Sequence, residues 1–166
     1  MIVAVPTSAS PNVAAYPVLG TKAIAVDGDA PTNLLVTEED KLSLLATTVA
    51  RHRLRKLFAL RENWDGHGSA KPVFEAVVRA YRAVLEMYQL AALSGHGWTN
   101  PNVSADENGT VVFEWWRGQR KLTMYVTASE MSYVRVWGNN IDTDMVDGPV
   151  DGLEYDFTPL WGWLNA

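Results

Sequence analysis

Residues 110–127 read TVVFEWWRGQRKLTMYVT, and the fold turns on how this stretch is read. Val111, Phe113 and Trp115 alternate with Val112, Glu114 and Trp116, and Leu122, Met124 and Val126 alternate with Lys121, Thr123 and Tyr125. A period of two sends successive side chains to opposite faces, so each half reads as a strand with one apolar face. Arg117-Gly118-Gln119-Arg120 between them has the composition of a tight turn. Upstream, Asn108-Gly109 is the pair favoured in type I′ hairpins and predicts a short strand at about 102–106 paired with 110–117. Met131 to Trp137 reads as a fourth strand, reached through Ala128-Ser129-Glu130. The expected sheet is an antiparallel meander of three to four strands.

Ahead of the sheet the period changes to that of a helix. Thr37 followed by Glu38, Glu39 and Asp40 has the form of an N-cap with acids suited to the positive end of a helix dipole. Leu42, Leu45, Val49, Leu57 and Phe58 follow at roughly helical spacing, which predicts a first helix over about 38–60. A second begins near Pro72, a residue tolerated in a first helical turn. Phe74, Val77, Val78, Tyr81, Leu85 and Tyr88 lie on one face of it, as far as the Ser94-Gly95-His96-Gly97 turn. Helices in one block and strands in another indicate α+β: two antiparallel helices packed on the sheet. Residues 1–36, with four prolines, read as an extended N-terminal arm, and 37–137 as the core domain. Residues 138–166 read as an acidic, aromatic C-terminal arm packed on that core, since the closing Trp161-Gly162-Trp163-Leu164 has too much apolar area to hang in water.

The chain has 166 residues and a formal net charge of −5, unevenly spread. Residues 1–40 hold five acids and one base, 41–135 hold thirteen bases and eight acids, and 136–166 hold six acids and no base. A basic module thus lies between acidic arms, an arrangement that steers a partner with a basic surface. There is no cysteine, which excludes disulfides, thiolate metal sites and thiol nucleophiles. No run of 18 apolar residues spans a membrane, and the N-terminus lacks the basic start of a secretory signal, so a cytoplasmic protein is expected.

Residues 62–72, ENWDGHGSAKP, hold the densest set of chemically capable side chains. Read as an active site, Glu62, Asp65 and His67, joined by Glu114, would serve a small hydrolase or nuclease by acid–base chemistry. Read as a connector, Trp64, Asp65, Gly66, Gly68 and Pro72 are the residues a structured turn between two helices needs. The connector reading asks for less and is preferred. His52, His67 and His96 are the three histidines, and none falls in a metal-ligand spacing, so no metal or cofactor is expected. Arg51, Arg55 and Lys56 form a weak candidate stripe for phosphate contacts, but the acidic balance disfavours nucleic acid.

Leu57, Leu60, Asn63-Trp64-Asp65-Gly66-His67-Gly68, Lys71-Pro72 and Gly109-Thr110-Val111-Val112-Phe113-Glu114-Trp115 together resemble a group of small bacterial and phage proteins. In these a Leu-rich helix, a WDG-x-G turn before a proline, a second helix and a strand ending in Glu-Trp recur. The resemblance covers about residues 54–127. It implies an accessory factor near mobile elements, a non-enzymatic inhibitor that blocks or neutralises a protein partner. The contacts expected for that role are Trp116, Tyr125, Trp161 and Trp163 as exposed aromatic anchors, with Asp142, Asp144 and Asp147 providing charge. An oligomeric structural phage component using the same aromatics is the further alternative.

Overall fold

A computed structural model describes residues 37–166, so the arm expected over 1–36 lies outside the described residues. Five strands follow in chain order: β1 (Asn102–Ala105), β2 (Val111–Arg117), β3 (Arg120–Val126), β4 (Met131–Val136) and β5 (Met145–Pro149). Each is antiparallel to the next, and spatial order equals chain order. Helices α1 (Glu38–Ala46), α2 (Thr48–Leu57) and α3 (Phe74–Leu93) precede the sheet, and α4 (Leu153–Asn165) follows it. The class is α+β with an antiparallel sheet. The sheet has five strands rather than three or four, because the segment expected to be an extended arm supplies both β5 and α4.

The register sorts the two faces. Val111 pairs with Val126, Phe113 with Met124 and Trp115 with Leu122, all buried, and these rows form the inner face. Helices α3 and α4 lie against β2 and β3, and α2 against β1. Phe157, Leu160, Trp161 and Leu164 of α4 and Val77, Ala80, Val84 and Met87 of α3 complete one core with that face. Asn102, Glu114, Thr123, Val134 and Asp147 run across the outer face at one register level.

Two of the four strand connections carry a glycine with positive φ. Gly118 has φ +59°, and with Gln119 it makes a two-residue turn closing on the Arg117–Arg120 pair. The turn before β2 is not the expected type I′, which needs positive φ at both Asn108 and Gly109. Only Gly109 has it, at +77°. Asp106 instead accepts hydrogen bonds through its side chain from the Asn108 and Thr110 N–H groups, and the loop closes on a left-handed glycine.

The expected first helix is two. Thr47 and Thr48 turn their hydroxyls back to the Ser43 and Leu44 carbonyls, a competition that bends helices, and the chain breaks there. The buried line is then Ser43, Thr47, Ala50, Leu54 and Leu57. Leu42, Leu45, Val49 and Phe58, expected on the apolar face by their spacing, are exposed. α3 repeats the lesson: alanines 76, 80, 83 and 91 face the core, while Phe74 is exposed and rests on Phe58, the ring centres 5.7 Å apart. Alanines let the helix backbones approach, while Leu54, Val77, Val84 and Met87 fill the core beside them.

Leu153, Phe157, Leu160, Trp161 and Leu164 give α4 a clear helical period despite Pro159 and Gly162 inside it. The Asp156 carboxylate accepts from the Asp151 and Gly152 N–H groups and ties down the start of the helix. No helix among the described residues is long and apolar enough to cross a membrane.

Candidate functional site

The side chains of the 62–72 segment bond mainly within their own turn. Asp65 accepts from the His67 and Ser69 N–H groups and from the Ser69 hydroxyl. Asn63, at φ 60°, accepts from the Gly68 N–H, the Trp64 indole donates to the Ala70 carbonyl, and Glu62 accepts from the Lys71 N–H. The Ser69 hydroxyl, and after it the His67 N–H, hold the Asp65 carboxyl below its usual range. Glu114 belongs to another neighbourhood, paired with Lys121 at 2.6 Å on the outer sheet face. Its other contact is the Asn102 amide. No three His, Asp or Glu side chains among the described residues gather as a metal-holding group.

A carboxyl whose folded pKa is depressed stabilises the fold above its unfolded value and gives that up as pH falls through the folded one. The turn should therefore keep its order below the pH at which an ordinary aspartate protonates. Ser69→Ala should move the Asp65 midpoint, followed by carboxyl NMR, up toward the usual value. An unchanged midpoint would mean that the hydroxyl does not hold it.

The aromatic and acidic residues expected at an interface divide by location. Trp161 is no surface anchor: it is 1% exposed, packed among Trp98, Trp115 and Phe157. Trp116 is 56% exposed and carries the Lys121 ammonium 4.6 Å from its ring centre. Tyr125 is half-buried on the same outer face, across from Val112. Asp142 and Asp147 are exposed, while the Asp144 carboxylate accepts from the Asn140 N–H and the Thr143 hydroxyl and shapes its own loop. In the helical stripe, Arg51 lies over the Tyr81 ring, whereas Arg55 and Lys56 are exposed.

The structure assembles a different group. The inner-face positions continue as Arg135, level with Leu122, and then as Arg117, Arg120 and Trp137. There they meet Trp163. Arg117, Gln119, Arg120, Arg135, Trp137 and Trp163 line an open cleft of about 610 Å³. The Arg120 guanidinium lies 5.7 Å from the Trp163 ring centre and donates to the Trp163 carbonyl at 2.6 Å. The Arg135 guanidinium lies 5.5 Å from Trp163 and 5.9 Å from Trp137, two indoles set edge to face. Guanidinium groups within cation–π distance of indoles are restrained without losing their charge.

Among the described residues no carboxylate comes within ion-pair distance of these three arginines; the two ion pairs lie at Lys41–Glu38 and Lys121–Glu114. The Arg135 Nε is buried without a hydrogen-bond partner. Three like charges converging on one open cleft, with no carboxylate beside them, suit an anion from outside. Of this group, sequence reasoning found only Trp163. The others were legible in one respect: in each strand, the two-residue step that carries the core face forward reaches Arg117, Arg120, Arg135 and Trp137.

No family model, curated protein or solved structure matches the chain.

Proposed function

We propose that this chain is a non-enzymatic binding protein that acts by occupying, and so blocking, a macromolecular partner. The observation that carries this reading is the convergence of Arg117, Arg120 and Arg135 on a cleft walled by Trp137 and Trp163. Arginine and tryptophan are the side chains that most often dominate binding energy, through large rigid contact area combined with forked donors. Exposed Trp116, next to Arg117 in β2, points to the outer face and lies outside this cleft. The carboxylates of 62–72 take no part: their hydrogen bonds are made within the turn, which supports a bracing role for that segment rather than a hydrolytic one. A bacterial or phage accessory factor that neutralises its partner, as the resemblance implies, fits a surface of this kind.

Affinity capture with the tagged full chain, compared with an Arg120→Glu/Arg135→Glu variant and with Asp65→Ala, tests the reading. The expected result is a partner retained by wild type and Asp65→Ala and reduced at least tenfold by the double variant. Undiminished capture by the double variant would move the interface elsewhere. Substrate turnover that disappears in a folded Asp65→Ala protein would replace binding with catalysis. A mass rising with concentration in light scattering, with no captured partner, would make the chain its own partner.

A further inference from the structure

We infer that the arginine–tryptophan cleft recognises a phosphate monoester on a protein segment whose neighbouring residues are basic. The inference rests on the binding reading above and narrows it to one ligand chemistry. The number of cationic donors decides between the anions a protein can present. A carboxylate carries one charge on two oxygens, and one forked guanidinium satisfies it. The cleft offers three guanidinium groups and the Gln119 amide, with no internal acid to share them. A phosphate monoester brings about −1.5 to −2 charges and three terminal oxygens, which suits that donor set in both charge and count. Cation–π contact with Trp163 and Trp137, and the Arg120 hydrogen bond to the Trp163 carbonyl, restrain the Arg120 and Arg135 side chains before a ligand arrives, so less freedom is lost on binding.

The surroundings decide what carries the phosphate. Directly after Trp137 the chain enters a loop holding Asp142 and Asp144, and the Trp137 N–H donates to the Asp144 carbonyl at 3.0 Å. The whole chain has a net charge of −5. A continuous polyanion laid through the cleft would run its neighbouring phosphates toward these acids. An isolated dianion flanked by lysine or arginine would instead find complementary charge at the centre and at the rim. The acidic segment and the arginine cleft thereby serve one ligand, each sign of charge meeting its opposite.

The arginine Nε–H signals of the full chain, followed by NMR, test this with three probes. They are a lysine-flanked phosphoserine peptide, the same peptide with glutamate at the phosphoserine position, and a single-stranded oligonucleotide of similar length. The phosphopeptide should shift the Arg120 and Arg135 signals at concentrations at least tenfold below the glutamate peptide. Arg135→Gln and, at the exposed position, Arg117→Gln should each weaken the response severalfold, while Arg55→Gln leaves it unchanged. Equal response to the glutamate peptide would overturn the phosphate inference and leave the binding reading standing. An oligonucleotide that binds tighter than the phosphopeptide would put nucleic acid in place of a phosphoprotein. No response in these signals to any probe would remove both the inference and the role assigned to the cleft.

Discussion

Trp161→Ala should lower the unfolding free energy by about 3–5 kcal/mol, the range for deleting a large aromatic from a packed core. Trp161 is among the largest fully buried side chains, and Trp98, Trp115 and Phe157 all have ring centres within 5.8 Å of it. Removing the indole leaves a hole that three rigid rings cannot close by small shifts, so the cost belongs at the upper end. Against a typical domain stability of about 5–15 kcal/mol, a loss of this size leaves a marginal fold. Urea denaturation followed by far-ultraviolet circular dichroism measures it, and Trp161→Phe, which keeps one ring, should lose less than half as much. A loss under about 1 kcal/mol would show that α4 is dispensable to the core.

Gly109→Ala should cost about 2–5 kcal/mol by two separate mechanisms. At φ +77° any L-residue with a Cβ is strained, which accounts for about 1–2 kcal/mol. A Cβ there would also stand 2.6 Å from the Lys71 carbonyl oxygen, a backbone atom unable to turn aside. Overpacking of this kind adds about 1–3 kcal/mol. Gly66 supplies the control, because its φ is +79° and nothing lies within 4 Å of its would-be Cβ. Gly66→Ala should show the backbone cost alone, and the difference between the two midpoints isolates the contact between segment 62–72 and the β1–β2 turn. The Ala70 N–H donates to the Glu107 carbonyl at the same place, 2.9 Å away. Equal midpoints would mean that the hairpin moves freely off the segment.

That contact changes the meaning of ENWDGHGSAKP. Its turn chemistry was legible from Asn63, Asp65, Gly66 and Gly68, because those residue types act locally. Its grip on Gly109 was not, because it depends on two segments nearly forty residues apart. The meander was legible for the same reason as the turn: alternation over 110–127 states both the strand and its buried face. The helices were harder. Leu42, Leu45 and Phe74 fit the helical spacing, but the face turned to the core carries Ser43, Thr47, Ala50 and Ala76 beside Leu54 and Val77. In α4, Pro159 and Gly162 masked a period that burial of Phe157, Trp161 and Leu164 enforces. The arginine cleft needed three strands and the last helix to be placed before its charges met.

Because spatial order in the sheet equals chain order, every strand pairs with its immediate predecessor. Each hairpin closes a short loop, so the sheet can extend one strand at a time as the chain leaves the ribosome, at low entropic cost. The apolar side of that growing sheet gains its final cover only when residues 153–165 arrive. Until then Phe113, Trp115 and Leu122 lack the helix that completes their packing, the kind of half-covered surface on which nascent chains aggregate. The window for misassembly is thus set by the time needed to translate the stretch from β4 to the end of α4, and it closes with a single docking event.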